Sequence, residues 1–560
     1  MKWHAMAWGV KSRFSAQKPR GEEAVLASLG MTNPIVSTLI LLTMATAAAP
    51  SINAQVTPQR LLDAGKEPQN WLMYSGDYAG RRYSTLEQIN VANAGTLVPK
   101  WAYQTMAGGK FETTPLVVDG ILYGTGQDNR AFALDARSGR PIWQYQRALP
   151  ADIRPCCGRV NRGLAILGDK VFLGTLDAHV IALDSKTGNV VWDVAAVDYR
   201  GGYSITLAPL AIKNLVIIGV SGGEYGIRGF IDAYDAATGE RKWRFYTVPG
   251  PGEPGHETWE GASWKIGGAP AWITGTYDSA TDTTFWTTGN PSPSNRGEGR
   301  AGDNLYSNSL LALEPETGKL KWYFQFSKHD EHDYDATQVP VMVDQGERRL
   351  ILQANRNGFF YVIDRANGKL LSANPFAKVT WSDSKDASGV PIARADASPT
   401  LEGNRVCPGA AGATNWMSPT YDPQTQLFYV TAREQCDIFS TAPQAYEAGH
   451  AYYGSAYFPN EDAAPFTGAL RAIDPTTGKM KWEWKHPSPT WSGVLSTAGG
   501  IVFTGDAEGN FIALEAATGK ALWHFQCGAS VYSSPMTFAI DGKQYVAVAA
   551  GSALFTFALP

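Results

Sequence analysis

A chain of 560 residues, 44% of them hydrophobic and 58 of them glycine, can bury a large core through many turns, which excludes a disordered or fibrous protein. Its net charge of −4 and the absence of any long run of Lys or Arg exclude a nucleic-acid-binding surface of the usual kind.

Residues 1–30 are polar and irregular, with Lys11, Arg13, Lys18 and Arg20, and are followed by the apolar run Ile35–Ala49, which ends in small residues. That run is short for a bilayer span and reads as the core of a secretory signal, with Ile52-Asn53-Ala54 before Gln55 as the cleavage site. Met31 is the expected start, with residues 1–30 an extension; an unusually long n-region is the alternative. Residues 1–54 are therefore expected to form an extension and signal peptide, and residues 55–560 the mature domain. Export to the periplasm would place the protein where disulfides persist.

The five cysteines are Cys156, Cys157, Cys407, Cys436 and Cys527. Consecutive Cα atoms lie about 3.8 Å apart, so a Cys156–Cys157 link would close a tight eight-membered ring, rigid and apolar on its faces. Two reduced thiols acting as small hydrophobes are the alternative. Cys407 and Cys436 can pair around a loop, which leaves Cys527 odd. Arg162, six residues after Cys156, suits a carboxylate at the rim of a flat ligand.

From Ala133 onward a unit recurs: Ala-x-Asp-x-x-(Thr/Ser)-Gly-x-x-x-Trp. It occupies Ala133–Trp143, Ala182–Trp192, Ala233–Trp243, Ala312–Trp322, Ala472–Trp482 and Ala513–Trp523, with Glu at 314 and 515. A degenerate copy around Asp364 and Gly368 has Ser372 in place of tryptophan. Each copy reads as a strand, a turn through the glycine and a second strand. Radially repeated four-stranded sheets suit this pattern, because a closed ring leaves only short edges. The expected fold is all-β: an eight-bladed β-propeller with tryptophan-docking repeats, its eighth blade joining Val98–Gln104 to Gln544–Ala558. The longer intervals Asp235–Glu314 and Asp364–Asp474 are expected to carry functional insertions.

Between the repeats stand Cys156-Cys157-Gly158-Arg159-Val160-Asn161-Arg162-Gly163, Ser221-Gly222-Gly223-Glu224, Thr288-Gly289-Asn290-Pro291, His329–Asp335 and Arg356-Asn357-Gly358. In this order, from about Asn70 to the C-terminus, the chain resembles the pyrroloquinoline-quinone (PQQ) dependent alcohol dehydrogenases, the methanol/ethanol quinoproteins. The resemblance implies a flat tricarboxylate quinone stacked between a Cys156–Cys157 ring and Trp272. Edge contacts would come from Glu112, Arg162, Thr206, Ser221, Gly222, Gly223, Asn415 and Trp491; Thr206 and Ser221 read equally well as ordinary strand or turn residues. Glu224 and Asn290 would hold one metal ion, Asp333 would act as general base beside it, and Arg356 would stabilise charge on the cofactor. Asp335 implies a lanthanide rather than calcium, since a trivalent ion is better matched by another carboxylate. Related sugar dehydrogenases share the Asp-x-Asp, and strand alternation would put both aspartates on one face in either case.

Two residues depart from the family pattern. Pro270 stands where a hydroxyl residue is usual, and His332 replaces a common tryptophan, which is expected either to reshape the pocket or to add a titrating group beside Asp333. The aromatic loop Tyr446–Phe466 reads either as a cap over the site or as ordinary packed surface. The implied activity is oxidation of a simple alcohol to an aldehyde by hydride transfer to PQQ. With no Cys-x-x-Cys-His before Pro560, electrons would pass to a separate soluble cytochrome c. The resemblance also implies a homodimer, with no nucleic acid and no membrane span in the mature chain. The alternatives are a PQQ-dependent polyol or sugar dehydrogenase and a non-catalytic propeller scaffold.

Overall fold

A computed structural model describes residues 55–459 and 465–560; the signal-peptide reading lies outside them. Strands dominate, and the single α-helix among the described residues is the five-residue Pro58–Leu62. No helix there is long and apolar enough to cross a membrane.

Eight sheets of four antiparallel strands follow one another along the chain. Five cover residues 116–146, 165–195, 210–246, 276–325 and 341–375. The sixth draws its strands from residues 420–434 and 467–486, and the seventh spans residues 495–526. The eighth covers residues 536–558 and takes Val98–Gln104 as its fourth strand, paired from Val98↔Ala558 to Gln104↔Ala553. Tyr83–Ser84 adds a short parallel strand to the seventh sheet.

Apolar, β-branched sequence places the second strand of a sheet in the core: Leu215–Gly219 is buried at every position. The fourth strand lies at the rim, so Val190–Ala195 alternates between exposed and half-buried residues. The repeat's acidic residue organises the turn between the third and fourth strands. Asp135 Oδ1, for example, accepts hydrogen bonds from Arg137 N at 3.0 Å, Ser138 N at 2.9 Å and Ser138 Oγ at 2.9 Å. Gly519 adopts φ +73, and a Cβ added there would meet the Trp482 ring at 2.6 Å. The same contact joins Trp101 to Gly139, Trp143 to Gly188, Trp192 to Gly239, Trp243 to Gly318 and Trp322 to Gly368. The indoles also donate across to the next repeat: Trp143 Nε1 reaches Ser185 O at 2.9 Å, and Trp523 Nε1 reaches Leu97 O at 3.1 Å. Where Ser372 interrupts the series, Gly478 faces Asn374 instead.

The long intervals hold the insertions. Between the fifth and sixth sheets lies the hairpin of Ser382–Lys385 and Pro391–Ala393. A small sheet of Asn404–Val406, Asp437–Phe439 and Tyr457–Pro459 follows, with the Cys407–Cys436 disulfide beside it. In the fourth sheet, the connection from Thr287 to Ser309 carries Asn290.

Candidate cofactor and metal site

A cavity of about 350 Å³ gathers residues from the segments that connect the sheets and the strands within them. Its lining includes Glu112, Cys156, Cys157, Arg162, Thr206, Ser221, Gly222, Glu224, Trp272, Asp333, Asp335, Arg356, Asn415 and Trp491, all singled out from sequence. Gly223 and Asn290 stand just behind the wall: a Cβ on Gly223 would lie 3.0 Å from Asn290 Oδ1. A larger cavity of about 730 Å³, lined by Asp278, Asp344 and Arg365, is polar, but Arg365 is bonded to Asp278 at 3.1 Å and to Asp344 at 2.8 Å. The carboxylates around Arg365 are thus engaged, whereas the smaller cavity leaves Asn290 Oδ1 and Asp333 Oδ1 unpartnered.

One part of the small cavity's wall is cationic and aromatic, and the disulfide joins it to the acidic part, with Cys157 Sγ 3.9 Å from Glu224 Oε1. Cys156 and Cys157 are disulfide-bonded, with Cys157 in the left-handed region at φ +69. Arg162, buried, pairs with buried Glu112 at 2.7 Å and donates to Thr206 Oγ1 at 2.9 Å. Thr206 Oγ1 in turn shares a 2.8 Å hydrogen bond with Ser221 Oγ, so these hydroxyls orient the guanidinium. The Arg162 Cζ lies 4.9 Å from the Trp272 ring centroid and 5.5 Å from that of Trp416. Trp416 stacks on Trp491 at 4.4 Å and 6°. Asn415 Nδ2 donates to Ala411 O at 3.0 Å.

The other part is acidic. Asp333 and Asp335 lie in an irregular segment, not on a strand, so the alternation expected to align them is absent. Asp333 takes φ +60, and what brings the two carboxylates together is Arg356. Its Nη2 donates to Asp333 Oδ2 at 2.7 Å, its Nη1 to Asp335 Oδ2, and its Nε to Ala410 O at 3.0 Å. Asp335 Oδ1 accepts from Asn290 N at 2.7 Å. Burial pushes the Asp333 carboxyl well above the usual range, opposed by the Arg356 charge and aided by Asp335 and Glu224; Asp335 is raised, again by burial first. Glu224 is pushed up to about 7 by burial and then by the charge of Asp335.

Asn290 Oδ1 and Asp333 Oδ1 are buried without hydrogen-bond partners. Unpartnered buried oxygens are costly. Together with a Glu224 whose charge burial disfavours, they form a hard-oxygen donor set that a cation would satisfy. The flat walls and the Arg162 end likewise fit a planar polyanion. The residues present therefore fit both PQQ and a metal ion.

Sequence reading missed Lys110, Val160, Ala410, Ala411 and Trp416 in the lining. Trp416 follows Asn415 directly and was within reach of the same motif. Tyr453 and Tyr457 of the aromatic loop line the cavity, and Tyr452 N donates to Glu224 O at 2.6 Å, which ties the loop to the acidic end. His332 is not among the residues that line the cavity. It is buried, with Nε2 2.8 Å from Ala397 O and its ring stacked on Tyr334 at 5.2 Å. Pro270 accepts from Gly289 N at 2.7 Å through its carbonyl and stands outside the lining.

A fold of successive four-stranded sheets around a cavity built for a flat anion and a cation defines the quinoprotein class. Residues 71–385 and 485–546 match the family model for the glucose/ethanol/alcohol dehydrogenase β-propeller domain. The chain is 42% identical to the quinoprotein alcohol dehydrogenase PedH of Pseudomonas putida, over 92% of this chain and 91% of that one. It is 36% identical to the lanthanide-dependent methanol dehydrogenase of Methylacidiphilum fumariolicum, over 90% and 88% respectively. The solved quinohemoprotein alcohol dehydrogenase ADHIIG of Pseudomonas putida HK5 superposes with a TM-score of 0.85 at 35% identity, covering 90% of this chain and 83% of that one. The chain belongs to the PQQ-dependent alcohol dehydrogenases, a family of β-propeller oxidoreductases. A non-catalytic scaffold is thereby excluded.

Proposed function

We propose that this protein is a periplasmic quinoprotein that oxidises a simple alcohol to an aldehyde and passes electrons to a separate cytochrome c. The observation that carries the reading is the make-up of the cavity wall: the Arg162–Glu112 pair, the acidic group Glu224, Asn290, Asp333 and Asp335, and between them Trp272, 4.9 Å from Arg162 Cζ, and the Cys156–Cys157 disulfide, 3.9 Å from Glu224 Oε1.

When bound, PQQ supplies the two-electron acceptor and the metal ion a Lewis acid beside it. Trp272 and the disulfide ring hold the flat faces, while Glu112, Arg162, Thr206, Ser221, Gly222, Gly223, Asn415 and Trp491 hold the edge. Glu224, Asn290, Asp333 and Asp335 hold the cation. Asp333, whose Oδ1 is free of protein partners, would stand beside the cation as the base that receives the proton of the substrate hydroxyl. Arg356 fixes the Asp333 carboxylate through Oδ2 and leaves Oδ1 facing the place of cation and substrate. Tyr453 and Tyr457 shelter the acidic end from water.

The same reading takes the eight sheets as a closed eight-bladed ring docked by tryptophans, supported by the shared eighth sheet and the Trp–Gly contacts. It takes the metal as a lanthanide, supported by Asp335 at the cavity wall, the molecule as a homodimer, as the family resemblance implies, and residues 1–54 as carrying a secretory signal, as the apolar run Ile35–Ala49 implies. The alternative is a PQQ-dependent polyol or sugar dehydrogenase, supported by the Asp-x-Asp of Asp333 and Asp335 and by histidine in place of tryptophan at 332.

The test is dye-linked activity of apoenzyme loaded with PQQ and either lanthanum or calcium, with a panel of alcohols, polyols and sugars, for wild type and Asp335→Ala. Lanthanum should support the higher kcat on simple alcohols, and Asp335→Ala should abolish that preference. Full activity with calcium alone and a silent Asp335→Ala would sink the lanthanide assignment, and activity confined to sugars would sink the alcohol assignment.

A further inference from the structure

Three cationic side chains line the cavity: Lys110, Arg162 and Arg356. Arg356 is matched by Asp333 and Asp335, and Arg162 by Glu112 at 2.7 Å. Lys110 is different. Among the described residues its ammonium forms no ion pair, and its hydrogen bond is to a neutral group, Cys157 O, at 3.4 Å. The Nζ lies 5.8, 5.9 and 6.0 Å from the ring centroids of Trp416, Trp491 and Tyr532, a position that keeps it over the aromatic end of the cavity. It enters from the irregular segment between Gln104 and Leu116, where a Cβ on Gly108 or Gly109 would touch nothing within 4 Å. The backbone there has room to adjust. With Glu112 and Arg162 cancelling one another, Lys110 is the cation of the lining that no carboxylate matches; Arg433 stands behind Trp491, 3.8 Å from its ring, and donates to Thr490 O and Gln435 Oε1.

We propose that Lys110 is the counter-ion of a carboxylate on the bound quinone: a specificity-determining residue that closes over the ligand's edge between the Cys157 carbonyl and the Trp416–Trp491 pair. This rests on the PQQ reading of the site. An ammonium without a protein carboxylate contributes most to a ligand that brings its own, and the contribution is screened by salt. A neutral quinone of the same shape would gain nothing from it.

The experiment is titration of apoenzyme with PQQ in the presence of lanthanum, read by quenching of tryptophan fluorescence, at low and high ionic strength. Wild type, Lys110→Met and Lys110→Arg are compared, with thermal unfolding of each apo form as the control for folding. Lys110→Met should bind PQQ roughly ten- to a hundredfold more weakly at low salt, with a flatter salt dependence and an unchanged unfolding midpoint. Lys110→Arg, which keeps the charge, should stay close to wild type. Equal affinity and equal salt dependence for Lys110→Met and wild type would overturn the assignment while leaving the quinone reading intact. Equal weakening by Met and Arg would overturn it too, by showing that packing and not charge is what matters. If wild type itself shows no quenching, the quinone reading fails and this assignment with it.

Discussion

Asp333 has one oxygen fastened to Arg356 at 2.7 Å and the other buried without a partner. Replacing it with Asn keeps the size and removes the proton acceptor. Asp333→Asn should lower kcat by about 10²–10⁴ while PQQ still quenches the protein's fluorescence; a kcat within tenfold of wild type would remove Asp333 from the base role. A second buried group, His486, stands outside the cavity lining. His486 is 3% exposed, with neither ring nitrogen bonded, and burial lowers its pKa below the ordinary histidine value. Asp506 and Glu508 act in the opposite direction, without prevailing. The unfolded chain therefore binds the proton at a higher pH than the folded one. Stability from this group is complete above the unfolded pKa of about 6.5 and falls as the pH drops below it. Urea midpoints measured from pH 7.5 down to pH 5 should decline in wild type and decline less in His486→Gln. Parallel curves would show that the imidazole is not the group responsible.

At the scale of the element, the repeat is a strand–turn–strand whose glycine sits against the preceding repeat's indole. Gly519→Ala has to hold a Cβ at φ +73 and press it to 2.6 Å from the Trp482 ring, which cannot swing away because its Nε1 donates to Ala516 O at 3.0 Å. Gly478→Ala meets the same backbone penalty at φ +66, but its neighbour is the end of the Asn374 side chain, which can rotate aside. Gly519→Ala should cost about 2–4 kcal/mol and Gly478→Ala only the backbone share, about 1–2 kcal/mol. Equal losses in chemical denaturation would show that the indole contact adds nothing. This regularity was legible in the sequence because the turn chemistry is local: Asp, Thr/Ser and Gly within five residues set the bend, and the tryptophan follows at fixed distance. The site was legible only through the motif resemblance. Asn290 N bonds to Asp335 across 45 residues, and Arg356 reaches two aspartates more than twenty residues away. No periodicity encodes such meetings. The strand pattern assigned to Asp333 and Asp335 failed for the same reason, since a buried arginine and a positive φ hold that segment where sheet pairing would not. Lys110, Tyr453 and Tyr457 come from irregular segments and the insertion, where side-chain direction follows from tertiary packing alone.

For the molecule as a whole, the eighth sheet ties the two ends of the described chain together. Val98–Gln104 pairs with Ala553–Ala558, Trp101 on that first strand donates to Ala136 O at 3.2 Å, and Trp523 reaches back to Leu97 O. A chain ending at Ala550 would lose Leu554, Phe557 and Ala558, each fully buried, and would strip Val98–Gln104 of its ladder. The two large apolar side chains alone contribute about 3–6 kcal/mol of burial. The bare edges of Lys543–Ala550 and of Val98–Gln104 would then add further unpaired backbone. Against a total stability of roughly 5–15 kcal/mol for a native domain, and with two open edges available for pairing between molecules, the truncated chain should accumulate as aggregate. Soluble yield and the urea transition of any soluble fraction decide it. A soluble, cooperatively unfolding protein that still binds PQQ would mean that the last strand seals the edge of an already stable assembly. Trp101→Ala offers the milder arm: it keeps the strand pairing but loses the indole against Gly139, and its urea midpoint should fall while the protein stays soluble.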